Sequence, residues 1–527
     1  MSFSTLDLTI FITYLVVMMG IGLWIANRNR STTAQEYFLA GKSLPWWIIG
    51  GSLIASNISA EQMIGMAGSG FALGLGIATY ELMAAATLII VAKFLMPLFL
   101  KYNISTLPEF LEQRFDGRVR TGMAIFWLLI FVFVNITSLL YLGGLALNSI
   151  LGVPLVAAVI GLAIYSATFS VFGGLKAVVW TDVIQVVVLL FGGTLASILI
   201  LNAVSDGQGV IAGVKMLMEK APEKFDMIFD RDSTFLNIET GEQESAYKLL
   251  PGIGVLIGGM WIANVYYWGF NQYIIQRALA AKSLKEAQKG VIFAAFIKVF
   301  LPFIVVLPGI AAFVLGADIG KADEAFPWVV NSYVGTGLKA VVVAALVAAI
   351  GSSLSSIVNS TSTIYTLDIH KRLFNKNASE LQLVKIGRIV AALSLLIGVF
   401  LTPVLDSFDQ IFQFIQKYTG FFSPGILAVF LFGLFWKKTT TTAALITVIV
   451  SLPLSWGMDL MFPDMPFLDQ MGINFLILAV IIIAVSLTGK TEKGLELERK
   501  LFKTDWSFNF SALIIVGILA AIYGYFW

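Results

Sequence analysis

The chain has 527 residues, of which 58% are hydrophobic and only 13% charged, about half the charged share of an average soluble domain. There is no cysteine and one histidine, His370, which excludes a disulfide framework, thiolate chemistry and a histidine metal cluster. The apolar residues come in runs of about twenty, the length that crosses a hydrocarbon core about 30 Å thick. The composition therefore describes an all-α polytopic membrane protein whose partner is the lipid bilayer, and no nucleic-acid partner is expected.

No Lys or Arg precedes the first apolar run, 6–27, whereas Arg28 and Arg30 follow it. That order is the reverse of a cleavable signal peptide and predicts a retained helix with its N-terminus outside. Further helices are expected near 45–71, 77–100, 122–149, 153–172, 178–203, 252–276, 290–316, 338–368, 384–404, 408–436, 440–462, 470–488 and 508–526, fourteen in all. Assigned to alternate sides, the loops divide the basic residues very unequally. One set holds Arg28, Arg30, Lys42, Lys101, Arg114, Arg118, Arg120, Arg277, Lys282, Lys285, Lys289 and the clusters at Lys371 and Lys490. The other includes the longest loop, 204–250, with nine acidic residues. The positive-inside rule assigns the basic set to the cytoplasm and both termini to the outside. Trp46, Trp47, Trp180, Trp328, Trp436 and Trp506 fall near helix ends, where an aromatic belt would sit. Gly489-Lys490-Thr491 imitates the end of a phosphate loop, but Ala484 stands where the earlier glycine is required, and no strand precedes it.

Two helices are poor continuous spans. The second contains Ala55-Ser56-Asn57-Ile58-Ser59-Ala60-Glu61-Gln62 followed by Gly65, Gly68 and Gly70, and should unwind midway. Five helices later, Trp261 to Gln272 is again polar and aromatic, with Asn264 and Asn271. By the charge map the two helices run in opposite directions, so 45–203 and 251–436 form two five-helix groups of inverted orientation, each led by an interrupted helix. Residues 1–44 precede them as an extra helix and cytoplasmic loop, 204–250 is an extracellular loop, and 437–527 adds three helices. Unwound backbone inside a bilayer persists only where it is buried or lines a cavity, and there its freed groups bind ions and solutes.

Glu61, Glu81, Asp182 and Lys298 all fall within expected spans, each at a cost of about 2.5 to 3.5 kcal/mol near the centre. A solvated cavity would offset this. Gln62, Glu81, Asn135, Asn264, Lys298 and Gln416 supply donors and acceptors suited to a polyhydroxylated neutral solute, and Tyr267 or Trp268 could stack on a sugar ring. The helix at 338–368 carries Gly351-Ser352-Ser353-Leu354-Ser355-Ser356. Small hydroxyl residues commonly mean tight helix packing. The sharper reading is a Na+ site, in which hydroxyl oxygens face the unwound carbonyls of the second helix.

At these residues the chain resembles the solute:sodium symporter family, and within it the bacterial sodium/galactose symporters, over nearly the whole length. The resemblance is carried by 54–62, by Gly173-Gly174-Leu175-Lys176-Ala177-Val178-Val179-Trp180-Thr181-Asp182, by 264–272 and by Ser423-Pro424-Gly425. It implies a LeuT-like five-plus-five core in a bacterial inner membrane and Na+-coupled symport of a neutral hexose. It implies sugar contacts from Gln62, Glu81, Asn264, Lys298 and Gln416, with Asn57 and Asn135 beside them. Tyr267 would be an inner gate, and Met66, Tyr80 and Phe412 an outer apolar lid. Na+ would sit between the carbonyls of Ala55, Ile58 and Ala349 and the hydroxyls of Ser352 and Ser353, with Asp182 on its exit route. Ala84 stands where galactose-carrying relatives have serine. Competing readings are a sodium symporter for an inositol, proline or a carboxylate, and, outside the class, a channel or a membrane enzyme. No arginine series, pore-lining ring or nucleophile–base pair speaks for the last two.

Overall fold

The computed structural model describes residues 3–28, 31–59, 61–407, 411–489, 494–495 and 497–527, with the side chains of 406, 407 and 411–414 left out. The expectations placed on Arg30, Ala60, Lys490, Thr491 and the side chain of Phe412 thus lie outside the described residues. What is described is almost entirely helical. Its one sheet is a two-stranded antiparallel hairpin, Thr234–Leu236 with Gln243–Ser245, in the long loop.

Among the described residues, eleven helical stretches are long and apolar enough to cross a bilayer, and a further pair, Ala246–Ile257 with Gly259–Phe270, is bent by 75° at its break. Two of the eleven are too long for one crossing. Leu155–Val204 has 50 residues, roughly 75 Å at about 1.5 Å per residue. It doubles back at Gly174, whose φ of 57° and ψ of −163° belong to a region open essentially only to glycine. The return is fixed by the Gln185 amide, which donates to the Tyr165 hydroxyl at 3.0 Å across 20 positions that a straight helix would hold roughly 30 Å apart. The second long stretch, Glu61–Lys101 with 41 residues, breaks at Gly74, where φ is 83°.

The helices that position the site are α1 (Trp46–Asn57), α2 (Ala67–Leu73), α3 (Thr79–Ile90), α4 (Leu155–Val204), α5 (Gly259–Phe270), α6 (Gln272–Leu279), α7 (Leu284–Val305), α8 (Leu338–Ile364), α9 (Ile411–Phe435) and α10 (Trp506–Tyr525). The most apolar window of the stretch begun by α8 is 94% buried, against 22% for the N-terminal helix Thr5–Arg28 and 17% for α10. So α8 is the axis of the molecule, and the two terminal helices turn most of their surface outward, where a bilayer would cover it.

Both interruptions are present. α1 and α5 are each 12 residues long and each ends on an extended residue, Ile58 (φ −74°, ψ 109°) and Asn271 (φ −103°, ψ 122°). The polar stretch from Trp261 to Phe270 stays helical, contrary to the expected disturbance across it. Asn264 Nδ2 donates to the Met260 carbonyl four residues back at 3.2 Å, and the Trp261 indole reaches across the bend at Gly258 to the Leu256 carbonyl at 2.6 Å. The break within the stretch falls at Asn271, near its end, and a bend of 75° precedes the helix at Gly258.

Candidate functional site

The last intrahelical bond of α1 runs from the Ile58 amide to the Ile54 carbonyl, 2.8 Å. The carbonyls that follow are helix-end acceptors at the negative pole of the helix dipole, which makes them suited to a cation. α8 brings hydroxyls to them. Ser353 Oγ donates to the Ser56 carbonyl at 3.0 Å and lies 3.5 Å from that of Ala55. Ile58 follows the break and Ala349 precedes Ser353 by one turn, and both are fully buried. Of the five residues expected to hold Na+, Ser352 is oriented differently: its hydroxyl donates to Asp182 Oδ1 at 2.5 Å. Ser56, absent from the expected set, supplies the acceptor nearest Ser353.

Behind this cluster lies a group of buried polar side chains that the sequence reading left apart. Asp182 on α4 also accepts from Ser52 Oγ at 2.5 Å, and Ser56 Oγ lies 2.8 Å from Ser356 Oγ. Arg277 on α6 donates through Nε to Ser52 Oγ at 3.1 Å and through its other nitrogens to Ser356 Oγ and the Tyr273 carbonyl. One of its nitrogens lies 3.9 Å from Asp182 Oδ2. Arg277, expected in the basic cytoplasmic loop, lies instead within α6 with its side chain fully buried. The break at Asn271 starts a new helix whose inward face carries Gln276 and Arg277, and the guanidinium is offset by the Asp182 carboxylate and hydroxyls, as a buried charge must be.

On the other side of the α1 break a cavity opens. Lys298 on α7 donates to Asn57 Oδ1 and is ion-paired with Glu81 on α3, and its ammonium stands 5.1 Å from the centre of the Trp268 ring. Asn57 Nδ2 donates to the Tyr267 hydroxyl at 3.0 Å, which also accepts from Tyr273 at 2.6 Å. Gln62 is held by the Ser59 amide and hydroxyl, each 3.0 Å from its Oε1. Asn57, Gln62, Glu81, Asn264, Lys298 and Gln416 all line this cavity, with Tyr267, Met66, Tyr80 and Ala84. Asn135 does not: it is buried elsewhere, with Oδ1 lacking a hydrogen-bond partner. Thr419, Gly420 and Ser423 of α9, with Met471, complete the wall. Their residue types carry no signal beyond small or apolar, so only proximity reveals them.

A fold of broken helices with a polar cavity at the breaks, and hydroxyls meeting helix-end carbonyls beside it, defines an ion-coupled membrane transporter. The sodium:solute symporter family model matches residues 37–451, and the chain belongs to that family. It is 47% identical over 547 aligned positions to the sodium/glucose cotransporter of Vibrio parahaemolyticus, covering 99% of this chain and 98% of the relative. It is 33% identical to the human sodium/myo-inositol cotransporter 2, with 83% and 67% covered. Among solved structures, a Na+-coupled sialic acid symporter superposes with a TM-score of 0.81 at 23% identity, covering 94% of this chain and all of the other. A nucleobase-cation-symport-1 transporter gives 0.51 at 15% identity, with 86% and 95% covered. The fold is thus one shared by transporters with unlike substrates.

Proposed function

We propose that the chain carries a neutral hexose, galactose or glucose, into the cell together with Na+ by alternating access. The observation that carries this reading is the shared use of one helix end. The carbonyls of Ala55 and Ser56 meet Ser353, while the next residue, Asn57, meets Lys298 and Tyr267 in the cavity. An ion held at the first two therefore acts on the backbone that carries the third, which links ion binding to the sugar cavity. Ala55, Ile58, Ala349, Ser352 and Ser353 are the proposed Na+ ligands. Ser352 joins them by releasing Asp182, which is left to receive the outgoing ion.

Gln62, Glu81, Asn264, Lys298, Gln416, Asn57 and Asn135 are the proposed sugar contacts, the first six of them lining the cavity. The two buried cations of the region, Lys298 and Arg277, are each paired with a carboxylate, which favours a neutral solute over an anionic one. The cavity measures about 60 Å³, space for a few waters at about 10–15 Å³ each, so a hexose enters only as Tyr267, the proposed inner gate, or Met66 and Tyr80 of the proposed outer lid give way; Phe412 is the third proposed member of that lid.

The same reading takes the doubled-back α4 as two crossings, the stretch broken at Gly74 as parts of two, and the bent pair as one. The total is then fourteen, with both termini outside a bacterial inner membrane. Residues 45–203 and 251–436 are the two repeats, joined by the loop 204–250, with 1–44 before them and 437–527 after. The sodium/myo-inositol cotransporters among the relatives favour a cyclic polyol as the second reading. Uptake of labelled galactose, glucose and myo-inositol into proteoliposomes, with a Na+ gradient and without one, decides: equal uptake in both conditions overturns Na+ coupling, and uptake of inositol alone replaces the hexose.

A further inference from the structure

A second groove, of about 430 Å³, lies away from the transport site, between α7 and the last helix, α10. One end is charged. Lys285 and Lys289, one turn apart on α7, line it opposite Asp505, the residue that caps α10, and Lys285 is 3.5 Å from the Asp505 carboxylate. The chain just before α10 adds Arg499, Lys500 and Lys503, all exposed. Glu286 does not line the groove, because its carboxylate is turned to the Trp46 amide at 2.7 Å. The other end is apolar. Phe293 and Phe296 continue the face of α7 begun by Lys285 and Lys289, at the spacing of one helical stripe, and Phe508 and Ile515 face them from α10. Trp46, set edge-on to Phe293 at 5.5 Å, stands where the two ends meet, the depth at which indoles mark a membrane interface.

Two cations facing one carboxylate at the polar end of an otherwise apolar slot form an amphiphilic site with an unsatisfied positive charge. A free anion would use only the mouth. A lipid uses the whole length, and basic pockets between membrane helices are where anionic headgroups bind. We propose that the α7–α10 groove binds one anionic phospholipid, its phosphate between Lys289 and Lys285 and an acyl chain along Phe293, Phe296, Phe508 and Ile515. Because α7 also carries Lys298, the lipid braces the helix that closes the sugar cavity against the otherwise lipid-facing α10.

The test is native mass spectrometry of the purified full-length protein given equal amounts of phosphatidylglycerol and phosphatidylcholine. Each lysine near the headgroup is worth roughly fivefold in anionic-lipid affinity. The wild type should therefore retain phosphatidylglycerol at least roughly tenfold over phosphatidylcholine, and the Lys285→Gln/Lys289→Gln double variant should lose most of that preference. Asp505→Asn keeps a good helix cap while removing the competing carboxylate, so it should raise the preference by a few fold, and it reads the same site if the lysine variant folds poorly. Equal retention of the two lipids by the wild type, or an unchanged preference in the double variant or in Asp505→Asn, overturns the proposal.

Discussion

Lys298 and Glu81 are both buried, with 0% and 3% of their surface exposed, and each is tolerable only because the other is there. Removing one partner strands a charge, at about 3–5 kcal/mol, whereas replacing both with neutral groups of similar volume costs far less. Lys298→Met and Glu81→Gln alone should therefore each lower the melting temperature in detergent more than the double variant does, while all three bind sugar at least roughly tenfold more weakly. A double variant as unstable as the sum of the singles would mean that the two side chains do not act as a pair. Ser353→Ala makes a separate point, since a methyl group cannot replace the oxygen that meets the Ala55 and Ser56 carbonyls. Sodium-dependent uptake should be lost with sugar binding weakened less, and an unchanged Na+ activation curve would return the serine run to a packing role. Ala84, three residues after Glu81 and facing the same cavity, gives the finest reading. A serine there adds a hydrogen bond worth about 0.5–1.5 kcal/mol, so Ala84→Ser should shift competition between galactose and glucose roughly two- to tenfold toward galactose, and an unchanged ratio would place position 84 off the sugar.

Helix breaks are the functional feature at the next scale, and each has its own chemistry. At Gly174 a side chain is excluded twice over: φ is 57°, and an added Cβ would lie 2.5 Å from the Tyr37 carbonyl. Gly174→Ala should sharply reduce the yield of monodisperse protein in size-exclusion chromatography, whereas Gly161→Ala, where an added Cβ meets nothing within 4 Å, should not. Equal yields would mean that the α4 hairpin does not depend on the glycine. The α1 break was readable in the sequence because Ser56, Asn57, Ser59 and three glycines gather where a lipid-facing helix has no use for them. The second break falls at Asn271, inside the stretch from Trp261 to Gln272 that the sequence marks, but its exact position could not be read because Asn264, which looks disruptive in sequence, bonds back to its own helix. Arg277 could not be read from sequence at all. Five positions after a lipid-depth stretch, it has the pattern of a loop cation, and only the approach of Asp182, Ser52 and Ser356 from α4, α1 and α8 makes its burial affordable. Asn135 shows the limit from the other side: a polar residue in a span indicates a cost to be offset without saying which group offsets it, and its Oδ1 has no hydrogen-bond partner here.

At the scale of the whole molecule, coupling is a statement about free energy. The single Na+ site proposed at the end of α1 implies one ion for each sugar. A tenfold Na+ gradient supplies about 1.4 kcal/mol, and moving one positive charge through about 120 mV adds roughly 2.8 kcal/mol. Because the solute is neutral, the whole sum is available for accumulation, and about 4.2 kcal/mol corresponds to roughly a thousandfold ratio of inside to outside sugar. Two ions per sugar would square that ratio. Proteoliposomes clamped with a potassium gradient and valinomycin separate these cases: at fixed Na+ gradient, each additional ~60 mV should raise the limiting accumulation tenfold for one ion and a hundredfold for two. The slope of accumulation against potential thus counts ions without needing the site to be occupied in any structure. A slope of zero would mean that sugar movement carries no net charge, and would overturn electrogenic symport even if Na+ still accelerated uptake.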